Sequence, residues 1–256
     1  MRLQVLISTM NQNDYSLLDK MNISSDAIVV NQCDKNKIEE FEYKGHTILW
    51  MSLKERGIGL SRNTALMRST ADIILFSDDD VCYDDGYEEK IISSFNNNAN
   101  ADILLMDLRA IGKNDKKPYS FKKIRWYNSL NFGAVHFACK RESIFKKSLS
   151  FNLLFGGGAR YSCGEDNIFL SDALKKGLNV YTVPGYIGSV TYENSSWFKG
   201  YNDKYFYDKG ILMGTIFGRM AYPLTIVLFL KNNDQTKDYG LTKAISKAIE
   251  GIRNRL

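Results

Sequence analysis

Four consecutive apolar residues, Ile73-Ile74-Leu75-Phe76, run straight into Ser77-Asp78-Asp79-Asp80. An unbroken apolar run this short fits a central strand buried on both faces of a sheet. Three adjacent carboxylates repel one another unless something positive sits among them. Placed at the end of such a strand, they point to a ligand site, because open α/β sheets bind ligands beyond the carboxyl ends of their strands. A hard divalent cation with a diphosphate is the natural partner, since Mg²⁺ or Mn²⁺ takes oxygens from one or two carboxylates and from substrate phosphates. The plainer alternative is a solvated acidic turn capping the next helix. A calcium hand fits poorly: a register ending at Asp85-Gly86 puts Val81 and Tyr83 where carboxylates are needed.

Other short apolar runs alternate with helical patterns. Leu3, Val5, Leu6 and Ile7 make a first strand ending at Ser8-Thr9, residues 27–30 a second ending at Asn31, and residues 46–50 a third. Gly57-Ile58-Gly59 leads into a helix over 60–69, with Ser61 as its cap. After the acidic stop, Asp84 or Asp85 caps a helix with Tyr87, Ile91 and Phe95 on one face. Residues 102–108, 132–139 and 179–183 read as further strands, the last closed by Pro184. This order predicts an α/β fold with a mostly parallel central sheet flanked by helices. A chain of 256 residues holds one such domain or a core with an appendage.

The C-terminal region differs in character. Residues 197–207 are dense in aromatics, and residues 211–230 are apolar but broken by Arg219 and Pro223. A membrane span needs ~20 mostly apolar residues, and a central Arg costs ~2.5–3.5 kcal/mol, so buried or interfacial helices are expected instead. The last helix sets Leu241, Ile245, Ile249, Ile252 and Leu256 on one side, with basic residues elsewhere. The expected division is therefore a catalytic domain over 1–195 and a helical C-terminal extension over 196–256. The extension either rests on an anionic membrane surface, contacts a second copy in a homo-oligomer, or closes the core. The N-terminus lacks the features of a signal peptide, and Cys33, Cys82, Cys139 and Cys163 form no C-x-x-C pair. A cytoplasmic protein is expected, peripheral to the inner face of the membrane if the extension binds lipid. The mild net charge of +5 does not demand nucleic acid, and none is expected as a partner.

A second acidic motif, Gly164-Glu165-Asp166, opens a helix after the glycine run Gly156-Gly157-Gly158. Alone it reads as an ordinary capping pair. Together with the first motif it is the place for a general base that takes a proton from an acceptor hydroxyl.

The motifs, in order, resemble the inverting glycosyltransferases of family 2, and the resemblance implies their GT-A-type, Rossmann-like fold. Residues 5–11 (VLISTMN) are similar to the family's first strand and turn, and residues 27–31 to its second strand. Gly59-Leu60-Ser61-Arg62-Asn63 resembles its Gly-x-Ala-Arg-Asn helix start, Asp78-Asp79-Asp80 its Asp-x-Asp metal motif, and Glu165-Asp166 its Glu-Asp acceptor motif. The resemblance covers roughly residues 3–193. It implies that Ser8, Thr9, Asn31, Arg62, Asp78 and Asp79 bind a nucleotide-sugar donor, and that Asp80, with Asp78, holds a divalent metal. It implies Asp166 as catalytic base, with Glu165 supporting it and holding the acceptor. Trp197 is a candidate for stacking on an acceptor sugar, more so than Trp126. The implied reaction moves a monosaccharide to a glycan or lipid-linked hydroxyl with inversion, in cell-surface polysaccharide synthesis. A UDP-sugar is favoured, although the family's uracil-reading Asp is replaced by Asn31, with Asp34 nearby. The late histidine that many relatives give to the metal is also missing, leaving Glu193 as a weak substitute. His136 reads as a packed residue. A sugar-phosphate nucleotidyltransferase is disfavoured, because Ser-Thr-Met-Asn-Gln-Asn stands where its glycine-rich basic loop belongs. A non-catalytic nucleotide- or carbohydrate-binding module is the remaining alternative.

Overall fold

A computed structural model describes residues 1–112, 117–191 and 200–255. β1 (Leu3–Met10) feeds two cores at once. Val5 and Ile7 enter one buried cluster and Leu6 the other. After α1 (Leu17–Lys20), β2 (Asp26–Gln32) does the same, with Ala27 and Val29 on one side and Ile28 and Val30 on the other. Covering on both faces is why these runs are apolar throughout. β3 (Lys37–Tyr43) is an edge strand that forms an antiparallel hairpin with β4 (His46–Leu53). Its sequence KIEEFEY is charged along the open edge, which discourages pairing with another chain.

α2 (Ile58–Arg68) then carries the chain back to β5 (Ile73–Asp78), which pairs with β1 on the side away from β2. The sheet order is β3-β4-β2-β1-β5-β9-β7-β10-β6 once the remaining strands are added. These are β6 (Val81–Tyr83), followed by α3 (Tyr87–Asn97), then β7 (Ile103–Ile111) and β8 (Lys122–Lys123). β9 (Phe137–Lys140), α4 (Arg141–Lys146), α5 (Glu165–Lys175) and β10 (Val180–Thr191) follow. Strands β4, β2, β1 and β5 run parallel, as do β7 and β10, while β9 lies antiparallel between β5 and β7. Because the chain winds outward from β1 and returns across it to β5, a crevice opens between the carboxyl ends of these two strands.

Several local expectations are revised. Residues 132–136 are not strand: Ala134–His136 is a 3-10 turn, and only Phe137–Lys140 pairs. Pro184 does not close its strand. β10 continues past it with register shifts around Tyr186, and such an irregularity is where a residue without an N–H is tolerated. Ser61 lies inside α2, whose N-cap is Gly57. Gly86, in the left-handed region, caps α3 in place of Asp84 or Asp85.

The C-terminal region folds as α6 (Asp203–Phe217), α7 (Ala221–Lys231), α8 (Asn233–Thr236) and α9 (Leu241–Arg253). α6 and α9 meet backbone to backbone. A Cβ on Gly210 would lie 2.0 Å from the Ala248 carbonyl oxygen, and one on Gly251 would lie 2.2 Å from that of Tyr207. The apolar stripe of α9, with Ala244, Ala248 and Ile252 buried, is spent on this packing.

Candidate active site

Parallel register sets the first wall of the crevice. Ser8 on β1 is the Cα partner of Asp78 on β5, so the end of one strand faces the acidic end of the other. Thr9 Oγ1 donates to Asp79 Oδ2 at 2.5 Å and accepts from Gln12 Nε2 at 2.9 Å. Asn31 does not line this space. It is 1% exposed, accepts from the Gln12 backbone N–H at 2.9 Å and donates to the Gln12 carbonyl at 3.0 Å. Its amide thereby holds the turn after β1. Asp34, exposed just past β2, accepts from Arg56 Nη2 at 2.8 Å.

The two acidic motifs meet through one arginine. Arg62, carried by the second turn of α2, is 4% exposed. Its Nη2 donates to both oxygens of Asp78, at 2.9 and 3.1 Å, and its Nη1 donates to Glu165 Oε1 at 2.8 Å. The guanidinium also lies 5.4 Å from the centre of the Phe151 ring. Burial alone would pull its pKa down, but Asp78, Glu165 and Asp166 outweigh that and raise it, so the cation persists at any working pH. A planar fork of donors is what allows one side chain to grip two carboxylates. This contact answers Glu165 Oε1, so Glu165 acts first as a partner of Arg62 and forms a wall of the cleft.

Asp166 is different. It follows Glu165 at the start of α5, and its Oδ1 accepts from the neighbouring Asn167 backbone N–H at 2.7 Å. Burial, and next the charge of Glu165, push its pKa from 3.8 up to about 7, against the opposing pull of Arg62. A carboxyl so poised gains and gives up a proton near neutrality, as a general base requires. Gly164 sets the helix start. Its φ is +109°, and a Cβ there would lie 2.5 Å from Leu212 of α6.

The result is one cleft of about 750 Å³. Ser8, Thr9, Arg62, Asp78, Asp79 and Asp80 line one side, and Ser162, Glu165, Asp166 and Asn167 line the other. Leu130 to Gly133 form a third wall, around the 3-10 turn Ser129–Asn131. Sequence reading missed Gln32, which lines the cleft while its Oε1 accepts from Gly57 N–H at 2.7 Å, and the 130–133 wall, which carries no motif. Trp197, Tyr192 and Glu193 lie outside the described residues. Trp126 is exposed, away from this lining. His136 is buried, with Nδ1 donating to the Met106 carbonyl at 2.7 Å, and burial lowers its pKa.

Among the described residues, no group of three or more His, Cys, Asp and Glu side chains is arranged to hold a metal unaided. The lining nevertheless suits a shared cation. Five carboxylates face the cleft against the single cation of Arg62, and Asp79 and Asp80 are exposed to it. An anionic diphosphate would be repelled from such a surface without a bridging cation. Hard oxygen donors supplying only part of a shell, with substrate phosphates and water completing it, is the usual arrangement for Mg²⁺.

Comparison with known proteins agrees with this architecture. Residues 15–152 match Glycosyl transferase family 2. The chain belongs to that family. Its fold is shared with S. aureus TarS: TarS 1-349 in complex with UDP-GlcNAc aligns with a TM-score of 0.62 at 15% identity, covering 85% of this chain and 67% of that one. TarS 1-349 in complex with UDP gives 0.61 at 14% identity, covering 85% and 66%. A longer TarS structure gives 0.58 at 14%, and there the chain spans 39% of the TarS length while 83% of it is covered. No curated protein matches the chain.

Proposed function

We propose that the protein is a metal-dependent inverting glycosyltransferase that moves a monosaccharide from a nucleotide sugar to a glycan or lipid-linked hydroxyl. The observation that carries this reading is the single guanidinium of Arg62 joining Asp78 of one motif to Glu165 of the other, with Asp166 beside it across one cleft. The UDP and UDP-GlcNAc held by the TarS structures favour a UDP-sugar donor. The surroundings of Asn31 leave base recognition to other groups in this chain. Cell-surface polysaccharide synthesis on the cytoplasmic side is the setting that the family suggests.

Asp80, with Asp79 or Asp78, would hold Mg²⁺ or Mn²⁺, whose charge would offset that of the departing nucleoside diphosphate. Arg62 keeps the Asp78 carboxylate fixed. Thr9 restrains Asp79. Asp166 takes the proton of the acceptor hydroxyl as its oxygen displaces the diphosphate at the anomeric carbon. Direct displacement inverts that carbon.

Release of UDP from a panel of UDP-sugars, with Mn²⁺ and an acceptor, tests the reading. Asp166→Asn should lower turnover by ~10²–10⁴-fold, the usual contribution of a general base, with donor affinity kept. Asp80→Ala should instead weaken donor binding in the presence of Mn²⁺. Unchanged turnover in Asp166→Asn would overturn the assignment of the base.

A further inference from the structure

Among the described residues, the outer face of α7 has no partner. Pro223, Ile226, Val227 and Leu230 are spaced i, i+3, i+4, i+7, which sets them on one side of the helix. Ile226 is 38%, Val227 46% and Leu230 58% exposed, and Met220, just before the helix, is 57% exposed. Buried Ala221, Thr225 and Phe229 hold the opposite side to the protein. Beyond the helix start, exposed Trp126 lies 6.2 Å from Phe217, with exposed Tyr127 next to it. Amphipathic rings at the edge of an apolar ridge match the composition of a water–lipid boundary.

Charge selects the occupant. No Asp or Glu occurs in residues 122–131, 209–233 or 251–256, whereas Arg125, Arg219, Lys231, Arg253 and Arg255 do. Arg219 and Lys231 flank the ridge at its two ends and are exposed. Arg255 reaches the same end as Arg219: its Cβ lies 3.1 Å from where a Cβ on Gly214 would be, and Ile252 packs with Ala221. An apolar ridge with Arg219 and Arg255 at one end and Lys231 at the other, against the one acid Asp234 past Leu230, complements an anionic lipid surface. The stretch Asp203–Lys231 is long and apolar enough to cross a membrane by length and composition, yet 39% of its most apolar window is buried in the protein. That burial, with Arg219 in the middle, fits a helix lying on the surface.

We infer that α7, with Trp126 and the rim of Arg219, Arg255 and Lys231, docks the protein on anionic membranes. The α9 stripe, buried against α6, is not the contact. Leu130 packs in the same apolar cluster as Leu224 and Leu228 and also lines the cleft, so docking would set the cleft wall beside the bilayer, within reach of a lipid-linked acceptor. That consequence rests on the transferase reading. Docking itself needs neither donor nor acceptor, so vesicle binding tests it separately.

The experiment is sedimentation with vesicles of equal parts phosphatidylglycerol and phosphatidylcholine, against phosphatidylcholine alone. The wild-type chain should partition at least tenfold better onto the anionic vesicles, and less as salt rises. Ile226→Glu with Leu230→Glu should lose at least tenfold while keeping the wild-type circular dichroism spectrum and Tm, which shows that it folds. Arg219→Ser with Arg255→Ser should lose the preference for anionic lipid, and Trp126→Phe should remove a blue shift of emission seen on vesicle addition. Equal binding to both vesicle types, or unchanged binding by the double-Glu variant, would overturn the proposal. So would a concentration-dependent dimer abolished by the double-Glu variant in a chain that ignores vesicles, since the face would then belong to a second copy.

Discussion

At Asp166, stability and function pull in opposite directions. Its pKa is raised to about 7 by burial first and by Glu165 next. Between the ordinary carboxylate range and pH 7 the folded state therefore binds a proton that the unfolded state has released. Stability from this group is present at low pH and is lost as pH rises through about 7. Asp166→Asn should accordingly raise Tm clearly more at pH 8 than at pH 5, which melting curves at the two pH values would register. The proposed base catalysis needs the same ionisation, so kcat/KM of the wild type should fall below pH ~7 with unit slope, and the variant should lose that limb. A Tm gain equal at both pH values would show that the charge is not the cause. Arg62 sets the other side of the balance. Removing it in Arg62→Ala leaves buried Glu165 uncompensated, a loss of about 3–5 kcal/mol for a broken buried pair. The value is read from the denaturant midpoint. Arg62→Lys should recover only part of it, because one ammonium cannot reach Asp78 and Glu165 with paired donors.

Elements differ in how plainly the sequence announces them, for physical reasons. β1, β2, β4 and β5 are buried on both faces or nearly so, and their apolar runs display that. β3 was invisible because an edge strand with charged alternate residues has no apolar run, and β9 was over-extended because the 3-10 turn before it is equally apolar. The acidic ends of β5 and α5 could be found from their motifs. The bridge through Arg62 and the wall at 130–133 could not, since both depend on contacts made far along the chain. Asn31 stands at the expected place, and its hydrogen bonds to the Gln12 backbone were equally beyond the reach of the sequence. The start of α5 is the element most exposed to a single change. Gly164→Ala puts a Cβ into the Leu212 side chain at a φ that non-glycine residues rarely adopt, a strain on the order of 1–3 kcal/mol. The helix start must shift to relieve it, carrying Asp166 with it. We expect kcat to fall at least tenfold with the donor dissociation constant nearly unchanged, as measured by UDP-release kinetics and titration calorimetry. A weakened donor with intact kcat would place the strain elsewhere.

For the whole molecule, the C-terminal helices belong to the body that holds the cleft. Phe155, Tyr161 and Ile168, from the segment around the α5 start, share one buried cluster with Ile211, Leu212 and Ile216 of α6. Asp208, also on α6 and 2% exposed, accepts from the backbone N–H and the hydroxyl of Ser162, both at 3.0 Å, which fixes the loop leading into Glu165 and Asp166. A boundary near residue 195 thus marks a change of composition, while the packing runs across it. A chain ended at residue 200 re-exposes those three large apolar side chains at roughly 1.5–3 kcal/mol each, on the order of 5 kcal/mol or more in total. That is comparable with the whole stability of an ordinary domain, about 5–15 kcal/mol. At about 2–4 °C per kcal/mol for a chain of this size, the shortened protein should melt at least ~10 °C lower or show no cooperative transition. Its residual folded fraction should also lose turnover, because the loop before Asp166 no longer has Asp208 to hold it. The two causes separate in Asp208→Asn within the full chain, which keeps the α6 packing. Turnover should drop there with only a modest change in Tm, and a full-length variant with unchanged turnover would show that the α6 helix supports the fold without positioning the base.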